Sequence, residues 1–468
     1  MKFLYALVAA ALFAVVAIAT DYPVPAATFE AKDFTSWDKR RINSSKRGNI
    51  YVPFTAEDGT EDMVSVMRLD LVGTDFERGY AHGYLMAKEI VEFQGPKLDV
   101  YFVSMVMDID LSQFPEPLQQ ILKVIQVKGA IAAPDAFRKA LAWVWESEKT
   151  FVPQYLLDEF DGMSQGMCAT LSLLPGHEDC DPAEWLTSLQ QLNMLPELIR
   201  MACTAYGAWG KATEEGGLIQ MRALDFGGGP FANYTIAAVY RDATEGGNAF
   251  VSITFPGFAG VITGVSQSGI GVSEKVWMTY DRKSLQPGSY NGEPDIFVLR
   301  DILQQARNRA DAEEHLLAAA RTWAIFIGVG DYETQEFDLV GYTQAEVTVF
   351  TDVTAPLMTG QPYLEHIAYV DKHPQPSHDG PNGTLPTALG DFWGQISLET
   401  SKTITKYHQT GDLHIASYDF LQRQMYLAVG RTNGRGEYRP SGGADDSVWK
   451  AYNRPYLKFD LNDLWMGR

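Results

Sequence analysis

The chain has 468 residues, 46% of them apolar and 21% charged, which excludes a fibrous or disordered protein and suffices for two or three domains or one large α/β body. Lys and Arg total 38 against 59 Asp and Glu, a formal charge of −21, so phosphate backbones are repelled and nucleic acid is excluded as a partner. The three cysteines are too few for a disulfide scaffold and lack any zinc-ligand spacing.

The first residues read as a signal peptide over 1–19. Lys2 supplies the positive start, Leu4 to Ile18 is apolar, and Ala17-Ile18-Ala19 offers small residues to a signal peptidase. The apolar run is shorter than the ~20 residues of a membrane span. No later run of that length lacks charge, since Arg321 interrupts Leu316 to Val329, so no stable transmembrane anchor is expected. The expected destination is the secretory route, ending outside the cell or in a lysosome-like compartment. The sequons at Asn43, Asn233 and Asn382 fit that route. In an oxidising lumen Cys168 and Cys180 are able to bridge, which leaves Cys203 as a candidate reactive thiol.

Up to residue 200 the pattern is mainly helical. Apolar residues recur at three and four over Phe76 to Phe93, Pro117 to Ala133, Ala136 to Thr150, Leu156 to Leu174 and Pro182 to Cys203. Beyond 203 the period shifts toward two. Strands are predicted at Leu218 to Phe226, Thr235 to Arg241, Ala249 to Phe255, Gly260 to Val265, Gly269 to Lys275 and Trp323 to Gly328. More follow at Phe337 to Tyr342, Glu346 to Thr351, His414 to Asp419 and Gln424 to Val429, with one helical block from Pro294 to Thr322 between them. Helices before and between runs of strands predict a layered α/β body. Gly430 to Asp446 reads as a loop.

At the change of period stands Cys203, followed by Thr204. A strand through Gly207 and a turn at Glu214-Glu215-Gly216-Gly217 fold the next strand back, bringing Arg222 and Asp225 toward the cysteine. A free thiol has a pKa near 8.5, and a neighbouring guanidinium favours the thiolate. Were the bond before Cys203 cut, its own α-amine, with an unperturbed pKa of about 7.7–8.0, would serve as base. A carboxylate such as Asp225 would hold that amine. The plain alternatives are a buried structural thiol and an ordinary ion pair on a strand edge.

Cys203, Thr204, Gly217, Arg222, Asp225 and Phe226 together resemble the cysteine N-terminal-nucleophile (Ntn) hydrolases. The likeness is to the branches similar to acyl-CoA:6-aminopenicillanic-acid acyltransferase and to acid ceramidase. Flanking blocks extend it over most of the chain: RGYAHG at Arg78 to Gly83, DEFDGMSQGM at Asp158 to Met167, Phe255 to Lys275, Arg321 to Asp331, Tyr369 to Asp379, Thr410 to Asp419 and Ala451 to Tyr456. The resemblance implies an αββα sandwich with a mainly helical N-terminal region. It also implies self-cleavage between Ala202 and Cys203 into segments 20–202 and 203–468 that stay associated. The implied activity is hydrolysis of linear, non-peptide amides of N-acyl substrates, among them ceramides and N-acylethanolamines. Cys203 is then the nucleophile, Arg222 the cation beside the thiolate and acyl carbonyl, and Asp225 the holder of the amine. No cofactor and no metal is needed.

The family's oxyanion asparagine has no counterpart near Asp371-Lys372-His373; Asn453-Arg454 and the amides of Gly264 to Ser268 are the substitutes the sequence offers. His373, His378 and Asp379 match no standard metal spacing and read as a loop. His82 reads as a packing histidine, and Gly227-Gly228-Gly229 lacks a phosphate-binding lysine. Val100 to Met107 and Pro117 to Ala133 are apolar enough to line an acyl groove, or simply to pack a core. An ester-cleaving, phospholipase B-like enzyme, an acyltransferase of the same fold and an inactive acyl-lipid-binding protein are the alternative functions.

Overall fold

Local chemistry sets the first helix after the leader region. Thr74 and Glu77 form a reciprocal capping box that starts Asp75–Phe93. Asp181 caps Pro182–Asn193, whose first residue is a proline that needs no amide partner. The computed structural model describes residues 30–33, 46–55, 61–95, 98, 101, 106, 111–128, 134–198, 202–226, 231–241, 247–277, 290–322, 324–356, 360–372, 384–432 and 448–466. The expected signal peptide, Asn43, Asn382, Gly227-Gly228-Gly229, most of Val100 to Met107, the expected His373–His378–Asp379 loop and most of Gly430 to Asp446 lie outside these residues.

Two sheets face one another. The larger has ten strands in the order Glu30–Asp33, Lys46–Thr55, Glu61–Leu71, Ile236–Tyr240, Phe250–Thr254, Thr263–Ser266, Ile270–Val276, Ile325–Asp331, Glu336–Tyr342 and Val347–Phe350. The smaller has six: Ile367–Val370, Ala202–Ala208, Ile219–Asp225, His414–Asp419, Gln424–Val429 and Leu457–Asp460. Neighbours are antiparallel except Glu61–Leu71 with Ile236–Tyr240.

Alternation along the strands divides the core into layers. Val239, Val251 and Phe326 of the large sheet meet Ala205, Tyr418 and Leu427 of the small one between the sheets. On the outer face of the large sheet, Ala238, Ile270 and Ile327 pack with the helices Asp75–Phe93, Gln154–Leu171 and Asp295–Gln305. On the outer face of the small sheet, Tyr206, Met221 and Ile415 pack with Leu385–Asp391 and Leu398–His408. The order is helix, sheet, sheet, helix: the αββα sandwich expected from the resemblance.

Several boundaries differ from the periodicity. The N-terminal region also contributes three strands to the edge of the large sheet. The block expected as one helix is two, Asp295–Gln305 and Arg309–Ala318, because the Asn308 side chain accepts from Asp311 N and starts a new helix. Pro182 to Cys203 likewise breaks: Pro196 has no amide to continue the helix past Asn193, and Ala202 already belongs to a strand. Cys168 and Cys180 form a disulfide with a Cα–Cα distance of 5.3 Å, and Cys203 is free and buried. Among the described residues no helix is long and apolar enough to cross a membrane.

Candidate active site

The hairpin expected around the cysteine forms. Ala202–Ala208 pairs antiparallel with Ile219–Asp225, placing Cys203 opposite Leu224, Ala205 opposite Arg222, and Ala202 opposite Asp225. Paired residues share a sheet face and adjacent residues alternate. Cys203 and Arg222 therefore project to one face, while Asp225 and Thr204 project to the other.

Arg222 reaches the thiol directly: its Nη2 donates to Cys203 Sγ at 3.0 Å. The same guanidinium donates from Nε to the Glu274 carbonyl at 3.2 Å and from Nη1 to His414 Nε2 at 3.0 Å, and Nη2 lies 3.3 Å from Glu274 Oε2. Cys203, Arg222 and His414 are wholly buried and Glu274 nearly so. Thr263 Oγ1 stands 3.3 Å from His414 Nε2 on the far side. Burial pushes the Cys203 thiol up to about 12, with Arg222 opposing the rise, so in the uncleaved chain the sulfur carries its proton near neutral pH. Burial also raises Glu274, against the pull of Arg222, and lowers Lys275.

Asp225 closes the other face. It accepts from Gly411 N at 2.8 Å, from Thr204 Oγ1 at 3.3 Å and from Thr410 Oγ1, with Lys372 Nζ at 3.5 Å. Thr204 Oγ1 in turn accepts from Lys372 N at 3.2 Å. The carboxylate is thus fixed beside the strand end, one register position from Cys203.

Sequence reasoning brought Cys203, Arg222 and Asp225 together but assigned no role to Glu274, Lys275, His414, Thr410 or Lys372. All five lie in blocks of the resemblance; the buried acid and base within otherwise apolar strands, Ser273-Glu274-Lys275 and His414-Ile415, were the available signal. The oxyanion substitutes fall elsewhere. Asn453 is exposed in the turn Ala451–Asn453. Gly264 and Val265 pair with Val272 and Gly271 in the large sheet. Asp371 accepts from buried His408 at 2.9 Å. His82 is buried, and its Nε2 accepts from Gly257 N at 3.0 Å. No group of three or more His, Cys, Asp or Glu side chains among the described residues has the arrangement of a metal site.

A narrow apolar pocket lies beside this cluster, walled by Leu195, Pro196, Phe231, Thr254, Phe255, Phe258, Gly260, Ile262 and Ile296. Its Phe255 ring sits 6.3 Å from the His414 ring. The wall therefore touches the chain of contacts that runs through Arg222 to Cys203.

No protein-family model matches the chain. It is 32% identical over 436 residues to the protein dcd1B of Dictyostelium discoideum, across 91% of this chain and 78% of that protein. It is 30% identical over 439 residues to dcd1A of the same organism, across 91% and 90% respectively. Among solved structures, an N-acylethanolamine-hydrolyzing acid amidase ortholog of Caenorhabditis elegans is similar at a TM-score of 0.36 and 14% identity, over 53% of this chain and 99% of that one. The chain belongs to the family of the Dictyostelium proteins dcd1A and dcd1B.

Proposed function

We propose that the protein is a self-processing cysteine amidase that hydrolyses linear amides of N-acyl substrates. The single observation that carries this reading is the 3.0 Å approach of Arg222 Nη2 to the sulfur of a buried Cys203, on a strand whose preceding residue is the register partner of Asp225.

The chemistry follows from the groups present. In maturation, Cys203 Sγ adds to the Ala202 carbonyl carbon, the Ala202–Cys203 C–N bond breaks, and the thiol proton passes to the departing nitrogen. Water hydrolyses the resulting thioester, leaving segments 20–202 and 203–468, which remain associated through their common core. The new α-amine of Cys203 emerges next to Asp225. It takes the thiol proton as the sulfur attacks a substrate amide and returns it to the leaving amine. Water, deprotonated by the same amine, then releases the acid from the acyl-cysteine. Arg222 stabilises negative charge on the sulfur and on the acyl oxygen.

The pocket at Phe255 and Ile262 is apolar and suits an acyl chain better than a charged group. Lipid amides such as ceramides or N-acylethanolamines are the substrates this favours. The Cys168–Cys180 disulfide and the leader sequence support a secretory route ending outside the cell or in a lysosome-like compartment.

Gel analysis with N-terminal sequencing tests the reading. Wild type yields two fragments, the second beginning Cys-Thr-Ala, and Cys203→Ala stays whole. A wild-type chain that persists intact and traps no acyl-cysteine is instead the acyl-binding protein without turnover, a reading favoured by the missing asparagine near Asp371-Lys372-His373. Turnover of esters but not amides would mark a phospholipase B-like enzyme, and transfer to an added amine an acyltransferase.

A further inference from the structure

The turn Phe255 to Gly260 walls the apolar pocket with Phe255 and Phe258, yet its backbone is held largely by side chains from distant parts of the chain. Gly257 N donates to His82 Nε2 at 3.0 Å. The Gly257 carbonyl accepts from Asn193 Nδ2 at 2.9 Å, and Ala259 N donates to Asn193 Oδ1 at 2.9 Å, with Gly260 N 3.4 Å from that oxygen. Asn193 Nδ2 also donates to the Leu189 carbonyl at 2.9 Å, so the amide uses both donors and both lone pairs. Gly257 has φ +85°, a conformation that side chains rarely adopt, so the turn relies on these anchors for its shape.

His82 and Asn193 are both wholly buried and both precede Cys203, whereas the turn follows it. Asn193 ends its helix, where its amide satisfies the Leu189 carbonyl of that helix and spends its remaining donor and its oxygen on the turn. Burial lowers His82 to about 4, with Glu159 and Arg300 acting on it in opposite directions, so its Nε2 is free to accept. Neither residue touches Cys203, Arg222 or Asp225 in the contacts above. Both hold the Gly257–Gly260 part of the turn that begins at Phe255, whose ring adjoins His414.

We propose that His82 and Asn193 are positioning residues that latch the Phe255–Gly260 wall and thereby set the length of the linear apolar group admitted beside Cys203. The identity of that group rests on the N-acyl amidase reading. Arg300, from the segment after the cleavage point, also ties the turn by donating from Nη1 to the Ala259 carbonyl at 2.7 Å, so the segment before that point contributes to the choice of acyl chain while the segment after it supplies the nucleophile. A long chain meets the wall along its length and feels a loosened latch; a short one barely reaches it.

Displacement of the fluorescent fatty acid cis-parinarate from the purified full-length chain, by octanoate or palmitate, reads the pocket without turnover. Asn193→Ala is expected to weaken palmitate about tenfold, ~1.4 kcal/mol, and octanoate less than about twofold. His82→Leu gives the same pattern, while His82→Gln, which keeps an acceptor for Gly257 N, restores palmitate binding. Equal losses for both acids, unchanged palmitate affinity in His82→Leu, or a wild type that binds neither acid overturns the proposal. Should Asn193→Ala fail to fold, the two His82 variants decide. The amidase reading fails separately, when a chain that binds both acids normally never cleaves itself or an amide. In turnover of a long-chain amide, the latch variants raise KM and leave kcat unchanged, a split that a general loss of stability does not produce.

Discussion

Arg222 and His414 meet end to end, with Nη1 3.0 Å from Nε2 and both side chains wholly buried. A guanidinium has only donors, so Nε2 accepts and the ring proton resides on Nδ1. Burial and the neighbouring Arg222 charge push His414 well below the usual histidine range. Nδ1 has no hydrogen-bond partner among the described residues. His414 is thus a neutral acceptor that aims the guanidinium at Cys203 rather than a titrating base.

Nitrogen NMR of the imidazole checks this assignment. The Nδ1–H tautomer is expected to persist unchanged from about pH 5 to pH 8, across the range where an ordinary histidine titrates. His414→Leu, which leaves Nη1 buried and unmatched, is expected to cost about 2–3 kcal/mol. His414→Gln recovers much of it through the amide oxygen. A His414 signal that titrates near the ordinary value removes the acceptor role.

Arg222 and Glu274 form a second coupled pair, 3.3 Å apart in the core. Removing one partner of a buried pair strands the other, so Arg222→Ala is expected to lose about 3–5 kcal/mol in urea unfolding. The double variant Arg222→Met with Glu274→Gln should be more stable than Arg222→Ala alone, because no charge is left behind. Arg222→Lys keeps the charge but offers a single point donor to four contacts, so self-cleavage slows even where folding survives. Wild-type cleavage rates in Arg222→Lys would show that the fork geometry is unimportant.

How far the sequence reveals this arrangement differs from part to part. Cys203, Arg222 and Asp225 are legible because a hairpin's register follows from its turn and its alternation. Their placement on two faces follows from the same register, and the sequence-level argument stopped short of it. Glu274 is not legible as a partner of Arg222, since that contact joins strands of different sheets, and His414 is not because its strand, though next to Arg222's in the small sheet, lies far along the chain, and periodicity within one strand says nothing about what lies beside or across from it. The helix Leu398–His408 was missed because its sequence, LETSKTITKYH, has few apolar residues and several β-branched threonines; its Ser397–Thr400 capping box and its packing on Ile415 stabilise it instead. Leu385–Asp391 was missed because a proline in its first turn reads as a breaker away from a helix start. The strands before residue 72 lie ahead of the helical periods, in a stretch where the sequence predicted no element.

The RGYAHG and DGMSQGM blocks acquire a physical reason in the structure. Helices Asp75–Phe93 and Gln154–Leu171 pack backbone to backbone through glycines spaced four apart. A Cβ on Gly79 would overlap the Glu159 carbonyl, one on Gly83 the Met163 carbonyl, and those on Gly162 and Gly166 the carbonyls of Phe76 and Tyr80. Gly83→Ala gains about 1 kcal/mol of helix propensity. Forcing the helices apart costs about 3 kcal/mol, the upper end for overpacking, so the net effect is destabilising. Thermal unfolding of Gly83→Ala, with Gly390→Ala as a control at an exposed position where a Cβ meets only ordinary contact, measures this. An unchanged Tm for Gly83→Ala would mean that the helices do not approach so closely.

Stability should depend on pH through a second buried group of acids. Glu148, Glu197 and Asp295 lie in the core with no paired cation among the described residues; Glu197 Oε1 accepts from Asp295 N at 3.0 Å and from Thr322 Oγ1 at 3.3 Å. Burial raises all three, Asp295 to about 8, and also raises the nearby Glu293 to about 8. A carboxyl whose folded pKa exceeds its unfolded value binds more protons when folded. Its contribution is full below the unfolded value near 4 and is lost as pH rises through about 8. His82, lowered to about 4, works in the opposite sense: its contribution is present above about 6.5 and fades as pH falls toward 4. Glu159, whose burial is outweighed by the Arg300 charge that holds it below the ordinary carboxylate range, also weakens the fold as pH falls. Glu274, Asp301, Asp338, Asp412 and Asp419 are raised as well, whereas His414 is lowered like His82; the raised acids outnumber the groups that work in the opposite sense, which places the more stable condition on the acid side of neutrality. Thermal unfolding followed from about pH 5 to about pH 8.5 is therefore expected to show Tm falling as pH rises. Asp295→Asn, which keeps the size and removes the ionisation, is expected to flatten that fall. A Tm that rises between pH 6.5 and 8 would show that the carboxyls find cations this arrangement does not contain.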